Sequence, residues 1–342
     1  MNLSDYTVTR TSPAARAAAA LGAIVLIALI AAPWWAGRAD MRLMSELFLY
    51  LALASLWNLM AGYAGLVSVG QQAYVGFGGY MLFALTIFGG LHPIAAIVVA
   101  GLLGALIAIP AAVLIFRLRG AYFAIGTWVV AEVFRLSFAQ VSALGGGSGS
   151  SLPVGIVKSL ASGRSARESL SYWLALGSAV LVIAAVYLFL RSRRGLALTA
   201  IRDNELAAGS LGIDIWRTKF AVYVVTAALT SLAGALIFLQ KLRISPDAAF
   251  SVNDWTAFVI FIVVIGGIGT IEGPIIGTLI FFLLRETLAD LGTIYLMVLG
   301  VVAIVVMLKA PKGVWGLIRA RFDLQLFPLG YRVVRHISKK DT

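Results

Sequence analysis

The sequence predicts an all-α, polytopic membrane protein of about ten transmembrane helices, some short or interrupted, with both termini in the cytoplasm. Three observations carry this. Of 342 residues, 61% are hydrophobic and only 12% charged, against about a quarter charged in soluble globular chains. Apolar runs close to the ~20 residues that cross a bilayer recur along the chain. Lys and Arg gather in alternate connecting segments, as expected when basic loops stay inside. Residues 1–342 read as one membrane bundle.

The first run, Ala17 to Trp35, follows Arg10 and Arg16 and ends on the aromatic pair Trp34 and Trp35, an interfacial belt. It exceeds the roughly 7 to 15 apolar residues of a cleaved signal, so it reads as a first helix. Further runs cover Leu47 to Leu66, Tyr74 to Leu91, Pro93 to Phe116, Ala121 to Ala139, Leu170 to Leu190 and Phe220 to Leu239. Three less regular ones follow: Trp255 to Ile268, Ile275 to Leu284 and Thr293 to Leu308. With the N-terminus inside, eighteen of the 27 basic residues fall in cytoplasmic segments, eight of them in the tail 309–342. Merging the runs around Ile268 and Ile275 would move that tail outside, which the positive-inside rule disfavours.

The two long polar interruptions differ. Gln140 to Ser169, on the outer side, holds Gly145 to Ser151 and then Pro153, the composition of a flexible external loop. Arg191 to Lys219, on the inner side, is too charged to cross, yet Ile201, Ala208 and Leu211 share one helical face, so the element docks to a partner or lies at the interface. Gly212 fits a left-handed C-terminal cap there.

Catalytic and metal chemistry find no residues to work with. The chain has no Cys and two His, His92 and His336, in no ligand spacing; no phosphate-binding loop of the G-x-x-x-x-G-K type occurs. The net charge of +12 is the ordinary balance of a membrane protein and points to no nucleic acid. The tail suits anionic lipid headgroups.

The stretch Asn58 to Tyr80 combines polarity with Gly62, Gly65, Gly70, Gly76, Gly78 and Gly79. Free backbone groups are excluded from lipid, so such a run packs against protein or lines a wet cavity. Gln71 and Gln72 either line a path or act as interhelical glue. Gly266 to Gly277 is a second interrupted segment, and the pair suggests two-half transporter symmetry. Glu132 and Arg135, three positions apart, share a helix face, as a mutual ion pair or a charged lip.

Four motifs in order resemble the permease subunits of ATP-binding-cassette importers for branched-chain amino acids, of the LivM type. They are Asn58 to Tyr80, Leu118 to Thr127, Ala200 to Ile213 and Gly266 to Gly277; with Pro311-Lys-Gly313 the resemblance covers roughly residues 45–315. It implies a ten-helix permease half in a bacterial inner membrane, paired with a second, LivH-type permease, two cytoplasmic ATP-binding subunits and an external solute-binding protein. No cofactor is expected in this chain, since ATP is held by the partner subunits. The loop 191–219 becomes the coupling element. Ala207-Ala208-x-x-x-Gly212 is similar to the importers' Glu-Ala-Ala loop, although Glu205 stands one place further away and no Leu-Pro follows. Arg202, Glu205, Ala207, Ala208, Leu211 and Gly212 are the expected coupling residues. Asn58, Ser68, Gln71, Gln72 and Tyr122 are the expected path residues. Cargo stays open among branched-chain or other amino acids, amides and urea. The rival from another class is an ion-coupled transporter or channel, which usually buries acids at mid-depth; here Glu132 is the acid well inside a run.

Overall fold

A computed structural model describes residues 6–9, 13–161, 163–288, 294–322, 326–329 and 332–335. The apolar runs are helices, in the order the sequence gives. α1 is Pro13–Ile30, α2 Arg38–Asn58, α3 Gln71–Ile87, α4 Pro93–Ile115 and α5 Ala121–Ala139. A short α6 (Val154–Leu160) precedes α7 (Arg164–Arg191), and α8 (Arg193–Asp203) and α9 (Glu205–Ser210) form the polar loop before α10 (Ile215–Lys241). α11 (Pro246–Ala249) and α12 (Phe258–Gly266), α13 (Glu272–Thr287), α14 (Ile294–Lys309) and α15 (Gly313–Phe322) complete the chain. Among the described residues, seven helical stretches are long and apolar enough to cross a membrane; α1, α3 and α13 are shorter. The protein is an all-α, multi-pass membrane protein.

Element ends follow local chemistry. Asp214 caps α10 by accepting from Arg217 N at 2.9 Å, and Asn204 caps α9 by accepting from Ala207 N at 3.0 Å. Two helices carry π-turns, Leu59–Tyr63 at the end of α2 and Asn253–Ala257 ahead of α12. With α11 ahead of it, the second extends the span that ends at Gly266 back to Pro246, earlier than the apolar run from Trp255 suggested.

α2 and α10 lie at the centre. Their most apolar windows are 78% and 72% buried, against 17% for α5, whose Ile125, Val129 and Val133 face outward. α10 packs chiefly on α3 and α4, and α2 on α7. The α3–α10 crossing is backbone on backbone: a Cβ on Gly78 would strike Ser231, and one on Gly234 would strike Val75. Such small-residue contacts replace the hydrophobic drive that lipid cannot supply. Around Tyr50, at the other side of α2, Trp255, Phe281 and Phe282 pack with ring centroids 5.8 Å away.

The loop between α5 and α7 differs from the flexible connector its glycines suggested. It winds through two 3-10 turns, pairs strand β2 (Ser150–Ser151) with β3 (Arg243–Ile244), and buries Leu144, Leu152 and Val157. Those three apolar side chains, scattered among small residues, anchor it. At the chain ends, β1 (Tyr6–Thr9) pairs antiparallel with β4 (Arg332–Arg335).

Candidate functional site

The two interrupted segments, read as counterparts in separate halves, touch each other. Asn58 Nδ2 donates to Thr270 O at 2.7 Å, and Gly269 N donates to Asn58 Oδ1 at 2.8 Å. One amide therefore satisfies both a carbonyl and an N–H of the turn between α12 and α13, where the helix ladder is broken. Gly62 is required at this contact, because a Cβ there would stand 2.6 Å from Gly269 N. The π-turn leaves the Gly62 carbonyl available, and Arg202 of α8 takes it through Nη1 at 2.8 Å. A residue of the polar loop is thus tied to the first break, and through the Gly62–Asn58 turn it adjoins the second.

The rest of the Asn58 to Tyr80 stretch follows the same logic. Trp57 Nε1 donates to Ser68 O at 2.8 Å, Gly70 N to Ser68 Oγ at 3.1 Å and Val69 N to Thr127 Oγ1 at 3.0 Å. Gln71 Nε2 donates to Leu53 O at 3.0 Å, and Thr256 Oγ1 donates to Gln72 Oε1, joining α3 to the second π-turn. Asn58, Ser68, Gln71 and Gln72 are all buried inside the chain. Of the five expected path residues these four are each bonded inside the bundle, to different partners; Tyr122 lies apart, 73% exposed on α5.

The polar loop departs from a single amphipathic helix. Asn204 is extended (φ −159°, ψ 106°), so α8 ends and α9 restarts with a new phase. Leu198, Ile201 and Ala208 are buried, but Leu211 is turned out, 80% exposed, as is Leu206 at 86%. The shared face therefore holds Ile201 and Ala208 without Leu211, because the break resets the helical period. Gly212 adopts φ +82°, with Ile213 N donating to Ala208 O at 3.2 Å, the left-handed cap the sequence suggested. Ala207 is exposed beside Leu206. Glu205 pairs with Lys219, and Arg202 also holds Asp203, at 3.0 Å. Both charges expected to set the register on a partner are engaged within the chain.

Glu272 carried no expected role, and it is buried at the first turn of α13. Its Oε1 accepts from Leu326 N at 3.2 Å and Phe327 N at 3.0 Å, while the Phe327 ring packs on Tyr187 with centroids 5.6 Å apart. An acid inside the apolar Gly-Pro run was the available signal. On the opposite end of the bundle, Arg135 chelates Glu132, with Nη2 at 2.6 Å, and reaches Asp247 Oδ1 through Nη1 at 2.8 Å. The spacing of Glu132 and Arg135 is thus an ion pair extended to a third residue. Among the described residues no group of three His, Cys, Asp or Glu can hold a metal ion.

No solved structure matches the chain. Sequence comparison is informative. The high-affinity branched-chain amino acid transport system permease protein LivM of Escherichia coli K12 is 26% identical over 323 residues, covering 88% of this chain and 76% of that protein. A probable branched-chain amino acid transport permease protein LivM of Methanocaldococcus jannaschii is 30% identical over 116 residues, 34% of this chain and 33% of its own. The LivH permease protein of Escherichia coli K12 is 33% identical over 141 residues, 40% of this chain and 44% of its own. These relatives are transport permeases, and the family described as branched-chain amino acid transport system, permease component, matches residues 41–308, from α2 through the polar loop and both interrupted segments. The chain therefore belongs to the branched-chain amino acid transport permeases, and within them to the LivM type.

Proposed function

We propose that this chain is one permease half of an ATP-binding-cassette importer for branched-chain amino acids in a bacterial inner membrane. It pairs with a LivH-type permease and receives substrate from an external binding protein. ATP is bound by two cytoplasmic subunits that seat on the α8–α9 loop. Ten crossings put both termini inside, a count supported by the ten apolar runs of the sequence and by the β1–β4 pairing, which brings the two ends to one face.

The observation that carries the reading is the junction of Arg202, Gly62, Asn58 and the Gly269–Thr270 turn. Leu206 and Leu211 offer an ATPase subunit an exposed apolar grip, while Arg202 links the same loop to the first helix break, which Asn58 bonds to the second. Movement of α8 and α9 is then transmitted to α2 and to the α12–α13 turn. ATP drives the switch only through unequal binding to the two conformations. The path in this reading runs past Asn58, Ser68, Gln71, Gln72 and Tyr122, and the four buried residues are reached when the breaks separate.

The test is affinity purification of the tagged chain from native membranes in mild detergent, with an ATPase assay. Recovery of a second permease, ATP-binding subunits and vanadate-sensitive hydrolysis is the expected result, followed by uptake of labelled leucine in preference to urea. A stable chain recovered alone, active only in ion-gradient-driven flux, would overturn the proposal.

A further inference from the structure

The chain returns after α14 to the break between α12 and α13 and holds it in two different ways. Gly313, at φ +69°, opens α15 against Gly267 backbone on backbone, where no Cβ fits. That contact is fixed by packing. Residues 326–329 instead hold the break through one carboxylate: Glu272 Oε1 accepts from Leu326 N at 3.2 Å and from Phe327 N at 3.0 Å. The Phe327 ring meets Tyr187 of α7 edge-on, with centroids 5.6 Å apart and planes at 68°. Phe327 and Leu329 also pack on the apolar cluster that contains Met60 and Tyr63 of the first break and Leu198 of α8. Four residues therefore connect the second break to α7 and to the cluster shared by the first break and the polar loop.

The chemistry of Glu272 suits a contact that opens. Among the described residues it has no Lys or Arg partner, and its hydrogen bonds run to those two amides alone. A buried carboxylate needs donors, from protein or from water. With the segment seated, the Leu326 and Phe327 amides supply them; with the segment gone, water reaches the carboxylate, so the same side chain is satisfied in both states. An apolar residue at 272 would favour only the covered one. A second donor stands ready, since Tyr63 Oη is buried without a hydrogen-bond partner and lies within electrostatic reach of Glu272. We propose that residues 326–329 are an intramolecular latch. Seated, they tie α13 to α7 and to the first break, and the α12–α13 turn moves only after Leu326 and Phe327 leave Glu272. The latch is a property of this chain by itself; that it restrains transport rests on the importer reading.

The seat is tested on the full chain alone, in nanodiscs, by hydrogen exchange. Phe327→Asp removes the ring contact and sets a second carboxylate beside Glu272, in a segment beyond the last apolar span. The Leu326 amide is expected to exchange about tenfold or more faster in that variant than in the wild type, as for loss of one charged hydrogen bond. Glu272→Gln, which keeps an acceptor but not the charge, should shift exchange the same way by less. Met60→Cys, at the first break, should react faster with a maleimide once Phe327→Asp is added. The restraint is tested in the assembled importer. Phe327→Asp should raise ATP hydrolysis and leucine uptake severalfold. Tyr187→Cys with Phe327→Cys, joined by a bifunctional thiosulfonate, should arrest both until the link is reduced; the chain has no other cysteine to compete. Equal exchange in the wild-type and Phe327→Asp chains would overturn the latch. So would uptake that falls in Phe327→Asp, the mark of a merely structural clasp, or uptake that continues with the cross-link in place.

Discussion

Asn58 holds a place that few residue types can fill, because its amide presents a donor and an acceptor to two successive peptide units of the α12–α13 turn. Asn58→Leu removes both bonds and leaves a buried N–H and C=O without partners, a loss of roughly 2 to 4 kcal/mol. The expected outcome is a melting temperature lower by on the order of 5 °C in detergent, together with a loss of uptake. An unchanged melting curve would show that the turn finds other partners. The same scale explains why Gln72 is a poor candidate for a freely exchanging substrate contact in this conformation, since its carbonyl is already held by Thr256. The sequence showed that a polar, glycine-rich break exists at Asn58 to Tyr80. It did not show that the partner of Asn58 lies 212 positions away. A broken helix in lipid demands satisfaction of its backbone, but nothing in that demand names the residue that meets it.

At the scale of the element, the polar loop is two helices with separate tasks. α8 buries Leu198 and Ile201 and is bolted inward through Arg202; α9 presents Leu206 and Leu211 outward. Leu206→Asp combined with Leu211→Asp is expected to abolish ATPase-coupled uptake while leaving the melting temperature of the isolated chain unchanged, because neither side chain packs on its own bundle. Glu205→Arg tests a different contact. It sets two cations together at Lys219 and should uncouple hydrolysis from uptake; if uptake and assembly both survive, the loop is not the docking element. The phase break at Asn204 was legible in principle, since Asn before an acidic, alanine-rich run is a helix-start signal. Reading the loop as one period concealed it. Helix packing obeys a comparable local rule: Gly234→Leu is expected to prevent α3 and α10 from closing and to reduce the yield of folded protein, checked by monodispersity in gel filtration.

For the whole molecule the question is which face each connection occupies. The chain has no cysteine, so single-cysteine variants label cleanly. Ser148→Cys, in the outer loop, is expected to react with a membrane-impermeant maleimide in intact cells. Ser210→Cys and Thr7→Cys should react only after the membrane is opened. Labelling of Thr7→Cys from outside would displace the ten-crossing arrangement. The mixed peripheral exposure of α5, with Trp128 and Val129 turned outward, belongs to this scale too, because an apolar surface of that extent faces lipid or another subunit.

Composition and hydropathy by themselves determined the class of molecule, the order of the helices and the positions at which they break. Those are consequences of the solvent: a bilayer admits only long apolar helices, and a glycine-rich polar interruption is conspicuous against them. Motif order determined the family. Tertiary structure alone decided that the two breaks meet, that Arg202 joins the first of them to the polar loop, and that Glu272 receives the segment at Leu326 and Phe327. Each is a pairing between residues distant in the chain. Local sequence records which backbone and charged groups need partners, and packing of the helices in three dimensions selects them.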